Sequence, residues 1–175
     1  MPDGSIIGTS SSRRSAILRE YYPKLQIKLL RGNLNTRVNK LDNGEYDAII
    51  LAQAGVVRLG WGDRIKQQLP LDIFIPAIGQ GALAIELRDD SKWQDVISRL
   101  YCTQTSTEVS FERKVGAYLN ADCSTPLGCF VVEHNGNYQV SAFIRLDNKP
   151  YKKLEYIYHD GNSDELHSLI TSTLC

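Results

Sequence analysis

The chain has 175 residues, of which 42% are hydrophobic and 23% charged, as is typical of a globular protein with one large or two small domains. No apolar run approaches the roughly 20 residues that span a bilayer, so we expect no membrane partner. The four cysteines form no CxxC pair and no secretory leader opens the chain, so we expect no metal site and reduced thiols in the cytoplasm.

The net charge of zero conceals a basic first third. Residues 1–64 contain ten Lys and Arg against six Asp and Glu, whereas residues 65–175 contain ten against fourteen. The basic residues are arginines at predicted turns rather than a lysine-rich stripe with interleaved aromatic residues. This pattern favours small carboxylates or phosphates over nucleic acid as ligands.

Short apolar strands alternate with short helices over the first 60 residues. Such alternation predicts a doubly wound α/β domain with a parallel sheet. The predicted elements are strands over 5–8, 25–30 and 47–52, and helices over 13–22, from Asn35 or Thr36 to Leu41, and over 55–59.

Five arginines follow the predicted strand ends, where ligands bind in sheets of this type. They are Arg13, Arg14, Arg31, Arg37 and Arg58. A hydroxyl-rich turn over residues 9–12 would cap the first helix, whose free N–H groups attract anions. Together these features predict a polyanion cleft; the alternative is that the arginines lie on solvated helix faces.

The middle of the chain is less regular. We predict a helix over 64–69 and a flexible turn at Gly79-Gln80-Gly81, whose glycines mark a hinge or a close approach to a ligand. An apolar strand over 82–87 and an amphipathic helix over 93–100 follow. No glycine-rich nucleotide-binding motif follows a strand.

The last third predicts a small α+β domain with helices on one face of a three-stranded antiparallel sheet. The predicted elements are a helix over 107–119, strands over 127–133, 138–146 and 153–158, and a helix over 163–174. Asn135-Gly136-Asn137 is typical of a hairpin turn, and a second loop is predicted over 147–150.

A cysteine lies on the turn between the helix and the first of these strands. Cys123 is surrounded by small and polar residues, so its thiol could be a nucleophile or a covalent anchor. The alternative is a half-buried packing cysteine, since free cysteine usually behaves as a small hydrophobe.

Residues 121–128 (Ala-Asp-Cys-Ser-Thr-Pro-Leu-Gly) resemble the cofactor-attachment loop of porphobilinogen deaminases, also called hydroxymethylbilane synthases. Other segments resemble the same family in the same order. They are residues 8–14 (Gly-Thr-Ser-Ser-Ser-Arg-Arg), 30–33 (Leu-Arg-Gly-Asn) with Thr36 and Arg37, 41–52, and 76–82 (Pro-Ala-Ile-Gly-Gln-Gly-Ala).

The resemblance implies a transferase of tetrapyrrole and haem biosynthesis that joins four porphobilinogen units into hydroxymethylbilane with loss of ammonia. It implies a dipyrromethane cofactor held by a thioether on Cys123. It also implies cofactor-binding residues, namely Ser11, Arg13, Arg14, Arg31 and Arg37. The substrate-binding residues that it implies are Arg31, Arg37, Arg58 and Gln80.

The resemblance begins inside the family's second domain, so we expect this chain to lack the first domain, which contains the catalytic aspartate. That N-terminal domain is therefore an expected partner of this chain. The expected division is an α/β domain over 1–81, a segment over 82–105 that returns to that first domain, and a cofactor-anchoring domain over 106–175. The full-length protein is expected to be a monomer, and this chain alone to be inactive. Alternatives are a non-catalytic anion-binding module that resembles periplasmic-type binding lobes, or a structural fragment without a function of its own.

Overall fold

A computed structural model describes residues 1–89, 92–122, 124–145, 150–159 and 163–174. The chain divides into two compact units. Unit 1 comprises Met1–Phe74, Ser124–Pro126 and Arg145–Tyr151, and unit 2 comprises Ile75–Cys123, Leu127–Ile144 and Lys152–Cys175. Within the described ranges, no helix has the length and apolar character needed to cross a bilayer.

Unit 1 is built from short strands that alternate with helices. In chain order the elements are β1 (Ile6–Gly8), α1 (Ser12–Tyr21), β2 (Gln26–Lys28), α2 (Leu34–Asp42), β3 (Ala48–Ile49) and α3 (Gln53–Arg58). The sheet order is β2-β1-β3, and both pairings are parallel. The predicted alternating α/β arrangement with a parallel sheet is therefore confirmed.

Tyr46 fixes the end of the central strand. Its hydroxyl donates to the Leu29 carbonyl over 2.7 Å, and its ring lies so close to Gly8 that an added Cβ would meet Cδ1 at 2.8 Å. The Lys28 ammonium lies 5.2 Å from the centre of the same ring, within the range of a cation–π interaction. One aromatic side chain thus ties the end of β2 to the end of β1.

Unit 2 contains a three-stranded antiparallel sheet and most of the remaining helices. Its elements are α4 (Gln94–Ser98), α5 (Thr103–Tyr118), β4 (Leu127–His134), β5 (Asn137–Ile144), β6 (Lys152–His159) and α6 (Ser163–Leu174). The strand order is β4-β5-β6. Helix α5 packs on β4, α6 packs on β6 and the two helices touch, so they cover one face of the sheet as predicted.

The predicted hairpin turn is also confirmed. β4 ends at His134 and β5 begins at Asn137, which leaves a loop of Asn135 and Gly136. Both residues have positive φ, 52° and 78°, as the two-residue turns that suit twisted strands require. The second predicted loop, over 147–150, lies outside the described residues except for Pro150.

Two predicted elements are wrong. The helix over 64–69 is replaced by a single 3-10 turn, Gly62–Arg64, and the chain to Pro70 is irregular. The strand over 82–87 is absent, and Leu83 is 87% exposed. The apolar pattern of residues 82–87 favours a strand, but a strand also needs a neighbouring strand to which its backbone can form hydrogen bonds. None of the described strands pairs with this segment.

Several predicted boundaries also shift. Helix α5 begins at Thr103, four residues before the predicted start at Thr107. Helix α4 covers only Gln94–Ser98, the centre of the predicted 93–100 helix. Such differences are ordinary at helix ends, where backbone groups lack intrahelical partners.

Gly128 in β4 has no room for a side chain. A Cβ at this position would overlap the Phe143 ring and would lie 2.8 Å from the backbone oxygen of Ile75, which cannot rotate away. We expect Gly128→Ala to lower the free energy of unfolding by about 1–3 kcal/mol, the usual cost of overpacking. Chemical denaturation measures the change.

The matched control is Gly62→Ala. A Cβ at Gly62 would meet nothing within 4 Å, so this variant should change stability by no more than about 0.5 kcal/mol. Equal stability of the two variants would contradict the packing assigned to Gly128.

Candidate functional site

The three parallel strands of unit 1 end at one edge of their sheet, and each is followed by an arginine-bearing segment. Arg13 and Arg14 follow β1, Arg31 and Arg37 follow β2, and Arg58 is the last residue of the helix after β3. Because parallel strands share one carboxyl edge, the topology brings the segments after β1 and β2, which carry Arg13, Arg14, Arg31 and Arg37, to the same edge of the sheet, whereas Arg58 lies at the far end of the helix after β3. We call this edge the arginine edge.

The start of α1 is fixed by two hydroxyl groups. The Ser11 hydroxyl caps the helix by accepting a hydrogen bond from the Arg14 N–H over 3.3 Å. The Thr9 hydroxyl, in a residue only 3% exposed, accepts one from the Ser11 N–H over 3.2 Å. Predicted capping by residues 9–12 is thereby assigned to Ser11, and the first helical turn is held in one orientation.

Both arginines of that first turn are withdrawn from solvent. Arg13 is only 6% exposed, and Arg14 is half-buried with its Nη1 donating to the Ile50 carbonyl over 3.0 Å. Ile50 directly follows β3, so this hydrogen bond holds the guanidinium of Arg14 across the arginine edge.

Arg37 reaches the same region from α2. Its Nε donates to the Gly32 carbonyl over 2.8 Å, which folds the side chain back toward the turn after β2. The helix itself is capped by Asn33, whose Oδ1 accepts from the Thr36 N–H over 2.8 Å. The prediction that Asn35 or Thr36 caps α2 is therefore wrong, because both residues lie inside the helix, which begins at Leu34.

Burial and a neighbouring guanidinium charge lower the pKa of both Arg13 and Arg14. Burial, followed by the charge of Arg14, lowers the pKa of Arg13 to about 10. Burial, followed by the charge of Arg37, also lowers the pKa of Arg14. The charges of Arg13 and Arg14, and those of Arg14 and Arg37, repel each other, which makes the cluster Arg13, Arg14 and Arg37 a favourable place for an anion.

Arg31, after β2, and Arg58, at the end of α3, are both exposed. The ion pairs found within the described ranges join Lys24 to Asp3, Arg64 to Asp42, Arg145 to Glu20 and Lys153 to Glu155. Neither Arg31 nor Arg58 takes part in these pairs, and Arg14 and Arg37 do not either. These four side chains therefore keep donors that a ligand carboxylate could accept.

Cys123 lies outside the described residues, but the residues that follow it do not. Ser124–Pro126 belong to unit 1, the unit that carries the arginine edge. The Pro126 carbonyl accepts a hydrogen bond from the Arg145 N–H over 3.1 Å, which ties two further segments of that unit together. The chain thus enters the arginine-bearing unit one residue after Cys123.

The other two described thiols differ from each other. Cys102 is exposed, and hydrogen bonds from the Thr105 side chain and backbone lower its pKa. Cys129 in β4 is fully buried, and burial together with the charge of Glu112 raises its pKa, so it is an inert packing residue.

Gln80, the remaining predicted site residue, belongs to unit 2. It lies between Gly79 and Gly81, which have φ values of 67° and 98°, so a turn is present where one was predicted. The Gln80 N–H donates to the Ala77 carbonyl over 2.9 Å, and its Oε1 accepts from the Ala77 N–H over 3.3 Å.

The sequence analysis missed one buried ionisable residue. Glu112 in α5 is 5% exposed and accepts hydrogen bonds from two backbone N–H groups of unit 2. Its position beside Phe111 and three residues before Val115 could have placed it on the packed face of the helix.

Comparison with known proteins agrees with the arginine edge. Residues 1–95 match the family model described as "Porphobilinogen deaminase, dipyromethane cofactor binding domain". The chain is 46% identical over 146 residues to a porphobilinogen deaminase of Geobacillus kaustophilus, covering 82% of this chain and 47% of that protein. The protein of the same description from Streptococcus sanguinis is 45% identical over 150 residues, with 82% and 48% covered.

The chain belongs to the porphobilinogen deaminase family. Its first 95 residues match the dipyrromethane cofactor-binding domain of that family, and the match includes the arginine edge. The resemblance seen in the sequence motifs is confirmed. The chain spans about half the length of the curated relatives that it matches.

The arginine edge should bind polycarboxylates even in the isolated chain. We expect citrate at low ionic strength to raise the midpoint of thermal unfolding, because an anion offsets the repulsion within the cluster. Arg14→Met should weaken citrate binding about tenfold or more, the usual effect of losing a hydrogen bond to a charged group. Calorimetric titration measures the affinity.

Arg19→Met is the matched control, because Arg19 is exposed and lies in the last turn of the same helix. Its citrate affinity should equal that of the unaltered chain. The same loss of affinity in both variants would show that net charge, and not the arginine edge, governs binding.

Proposed function

We propose that this chain supplies the cofactor-binding and cofactor-anchoring part of a porphobilinogen deaminase. The activity of such an enzyme joins four porphobilinogen units into hydroxymethylbilane and releases ammonia, a step of tetrapyrrole and haem biosynthesis. The observation that carries the proposal is the burial of Arg13 and Arg14, with Arg37 beside them, at the arginine edge of the matched domain.

The donor set of the arginine edge suits a dipyrromethane, whose acetate and propionate arms are carboxylates. Planar guanidinium groups bind carboxylates through two parallel hydrogen bonds, and they stay charged at every physiological pH. In this proposal Ser11, Arg13, Arg14, Arg31 and Arg37 hold the cofactor.

The proposed substrate-binding residues include the exposed Arg31 and Arg58, the half-buried Arg37 and the exposed Gln80 of unit 2. Arg31, Arg37 and Arg58 would bind the carboxylates of incoming pyrroles, and Gln80 would add neutral hydrogen bonds. Exposed arginines suit a growing chain, because a flexible side chain can pair in turn with carboxylates that arrive one unit at a time.

Cys123 is the proposed point of attachment, through a thioether. The bound dipyrromethane supplies a primer to which pyrroles are added. Support comes from the position of Ser124–Pro126 in the arginine-bearing unit and from the motif of residues 121–128. Asp122 next to the thiol would disfavour its thiolate, which suits an attachment made once better than a nucleophile used at each turnover.

We further propose that catalysis requires a domain that the described residues do not include. Polymerisation needs an acid that protonates the leaving amine, and the resemblance assigns that role to an aspartate of the family's first domain. In this proposal residues 82–105 form the segment that reaches that domain, and they connect the predicted domains over 1–81 and 106–175.

The exposed side chains of that segment support this arrangement. Leu83, Trp93, Leu100 and Tyr101 are all more than half exposed, which is unusual for large apolar residues so close together in the sequence. The doubly wound fold that resembles periplasmic binding proteins is part of the same proposal for unit 1.

Covalent attachment can be tested by intact mass spectrometry. We expect the chain, once incubated with porphobilinogen and the N-terminal half of the Geobacillus kaustophilus relative, to gain the mass of two condensed pyrrole units. Cys123→Ser should abolish the gain, because no other residue is proposed to form the thioether.

Cys102→Ser should keep the full gain, since the exposed Cys102 thiol is the alternative site of modification. An unmodified Cys123 in an active mixture would contradict the anchoring role. Tight citrate binding without any modification or turnover would favour the non-catalytic anion-binding module.

Turnover of porphobilinogen tests whether catalysis requires both this chain and the N-terminal half. Neither this chain nor the separate N-terminal half should form hydroxymethylbilane alone, whereas their mixture should do so. Loss of porphobilinogen, followed by colorimetry, measures the rate. Activity of this chain by itself would show that its own residues supply the catalytic acid.

A further inference from the structure

Glu112 occupies a position that the arginine edge does not explain. It lies in α5 of unit 2, is 5% exposed, and both of its carboxylate oxygens accept hydrogen bonds from backbone N–H groups. Oε2 accepts from Gly79 over 2.6 Å, and Oε1 accepts from Val131 over 3.1 Å. One carboxylate therefore joins the Gly79-Gln80-Gly81 turn to strand β4.

The surrounding contacts place the turn firmly on α5. An added Cβ at Gly116 would lie 2.6 Å from Cδ1 of Ile78, so the absence of a side chain at Gly116 admits Ile78 against the helix. Val109 lies 3.7 Å from the corresponding position at Gly79. Residues 109, 112 and 116 share one face of a helix, so Glu112 lies at the centre of the surface that receives the turn.

Strand β4 is an edge strand of its sheet, and Glu112 belongs to a set of acceptors along that edge. The N–H groups of Cys129, Val131 and Glu133 alternate along the strand and donate in turn to Pro76 O, Glu112 Oε1 and Glu108 Oε1. Edge N–H groups left free would invite another strand. Among these acceptors, only Glu112 also holds the turn.

We infer that Glu112 is a positioning residue that holds the Gly79-Gln80-Gly81 turn, and with it Gln80, in a fixed place against α5 and β4. The turn has two glycines with positive φ, and the Glu112 carboxylate ties its Gly79 N–H to the Val131 N–H of strand β4. The expected effect of Glu112 on substrate binding rests on the proposed function, which assigns Gln80 to the substrate. The structural role of Glu112 does not rest on the proposed function.

The charge of Glu112 matters for this role. A carboxylate can accept from two N–H groups at once, whereas a glutamine offers one acceptor oxygen and turns an NH₂ group toward the second donor. Glu112→Gln therefore keeps the size of the side chain and removes one of its two contacts. Glu108→Gln is the matched control, since Glu108 lies one turn earlier and accepts hydrogen bonds from the Glu133 N–H of β4 and from the Gln104 side chain of its own helix.

Amide hydrogen exchange, followed residue by residue by NMR, tests the positioning role in this chain alone. We expect Glu112→Gln to reduce the protection factors of Gly79 and Val131 about tenfold or more, because each amide loses or weakens a hydrogen bond to a charged group. Glu108→Gln should reduce protection at Glu133 and leave Gly79 unchanged. Unaltered protection at Gly79 in Glu112→Gln would overturn the inference.

A pH series separates this role from general stabilisation. Burial raises the pKa of Glu112, against the effect of its two backbone hydrogen bonds, and the neighbouring charge of Glu108 raises it further. The other titratable group that faces it is the Cys129 thiol of β4, which stays protonated. On acidification, Glu112 should therefore lose its charge earlier than an ordinary glutamate.

The two readouts should move in opposite directions. A carboxyl whose folded-state pKa is raised favours folding most when protonated, so acidification should increase the stability of the unaltered chain relative to Glu112→Gln. Protection at Gly79 should fall over the same pH range in the unaltered chain and stay constant in Glu112→Gln. A fall in both quantities together would show that Glu112 merely stabilises the fold.

Turnover in the mixture with the N-terminal half gives the functional readout. Glu112→Gln should raise KM for porphobilinogen several-fold and change kcat by less than about twofold, as expected when a binding group is displaced but the chemistry is not. An unchanged KM with lost protection at Gly79 would overturn the link to Gln80. Absence of turnover in the unaltered mixture would count against the proposed function, while the exchange data would still decide the role of Glu112.

Discussion

The arginine edge of unit 1 concentrates positive charge at the start of helix α1, where that charge is electrostatically unfavourable. Arg13 and Arg14 lie in the first turn of α1, where the helix dipole is also positive and where the turn itself contains no acidic residue. Burial lowers the pKa of both side chains, and Arg37 adds a third charge nearby. A fold that needed only stability would not concentrate charge in this way. The arrangement becomes favourable when an anion with several carboxylates is bound, which explains why the same residues define the site.

The remainder of unit 1 keeps these side chains in place. Ser11 fixes the first turn of α1, Asn33 fixes that of α2, and the Ile50 carbonyl receives Arg14 at the end of β3. Each of these contacts arises from a residue next to a strand end. The three strands are only two or three residues long, so the arginine edge is held chiefly by caps and turns rather than by an extended sheet.

The sequence predicted most of this because the relevant signals are local. Strand-to-helix alternation, the hydroxyl run before Arg13 and the Asn135-Gly136 turn each specify structure over a few residues, and all three predictions are confirmed. The failures depend on distant partners. Residues 82–87 have the composition of a strand, but no described strand pairs with them. Glu112 was missed because a single glutamate in a helix gives no sign that Gly79 and Val131 will donate to it.

The charged side chains of the two units have different kinds of hydrogen-bond partner. The difference distinguishes a group that can bind a ligand from one that stabilises the fold. In unit 2 the carboxylate of Glu112 is satisfied from within, by two backbone N–H groups whose positions the fold determines. In unit 1 the charges of Arg14 and Arg37 meet one another and backbone carbonyls, and the described ion pairs include neither. A carbonyl neutralises no charge, so these guanidinium groups can still bind an anion. The cationic cluster is therefore the part of the chain that suits an anionic ligand, and the buried glutamate is the part proposed to hold a loop in position.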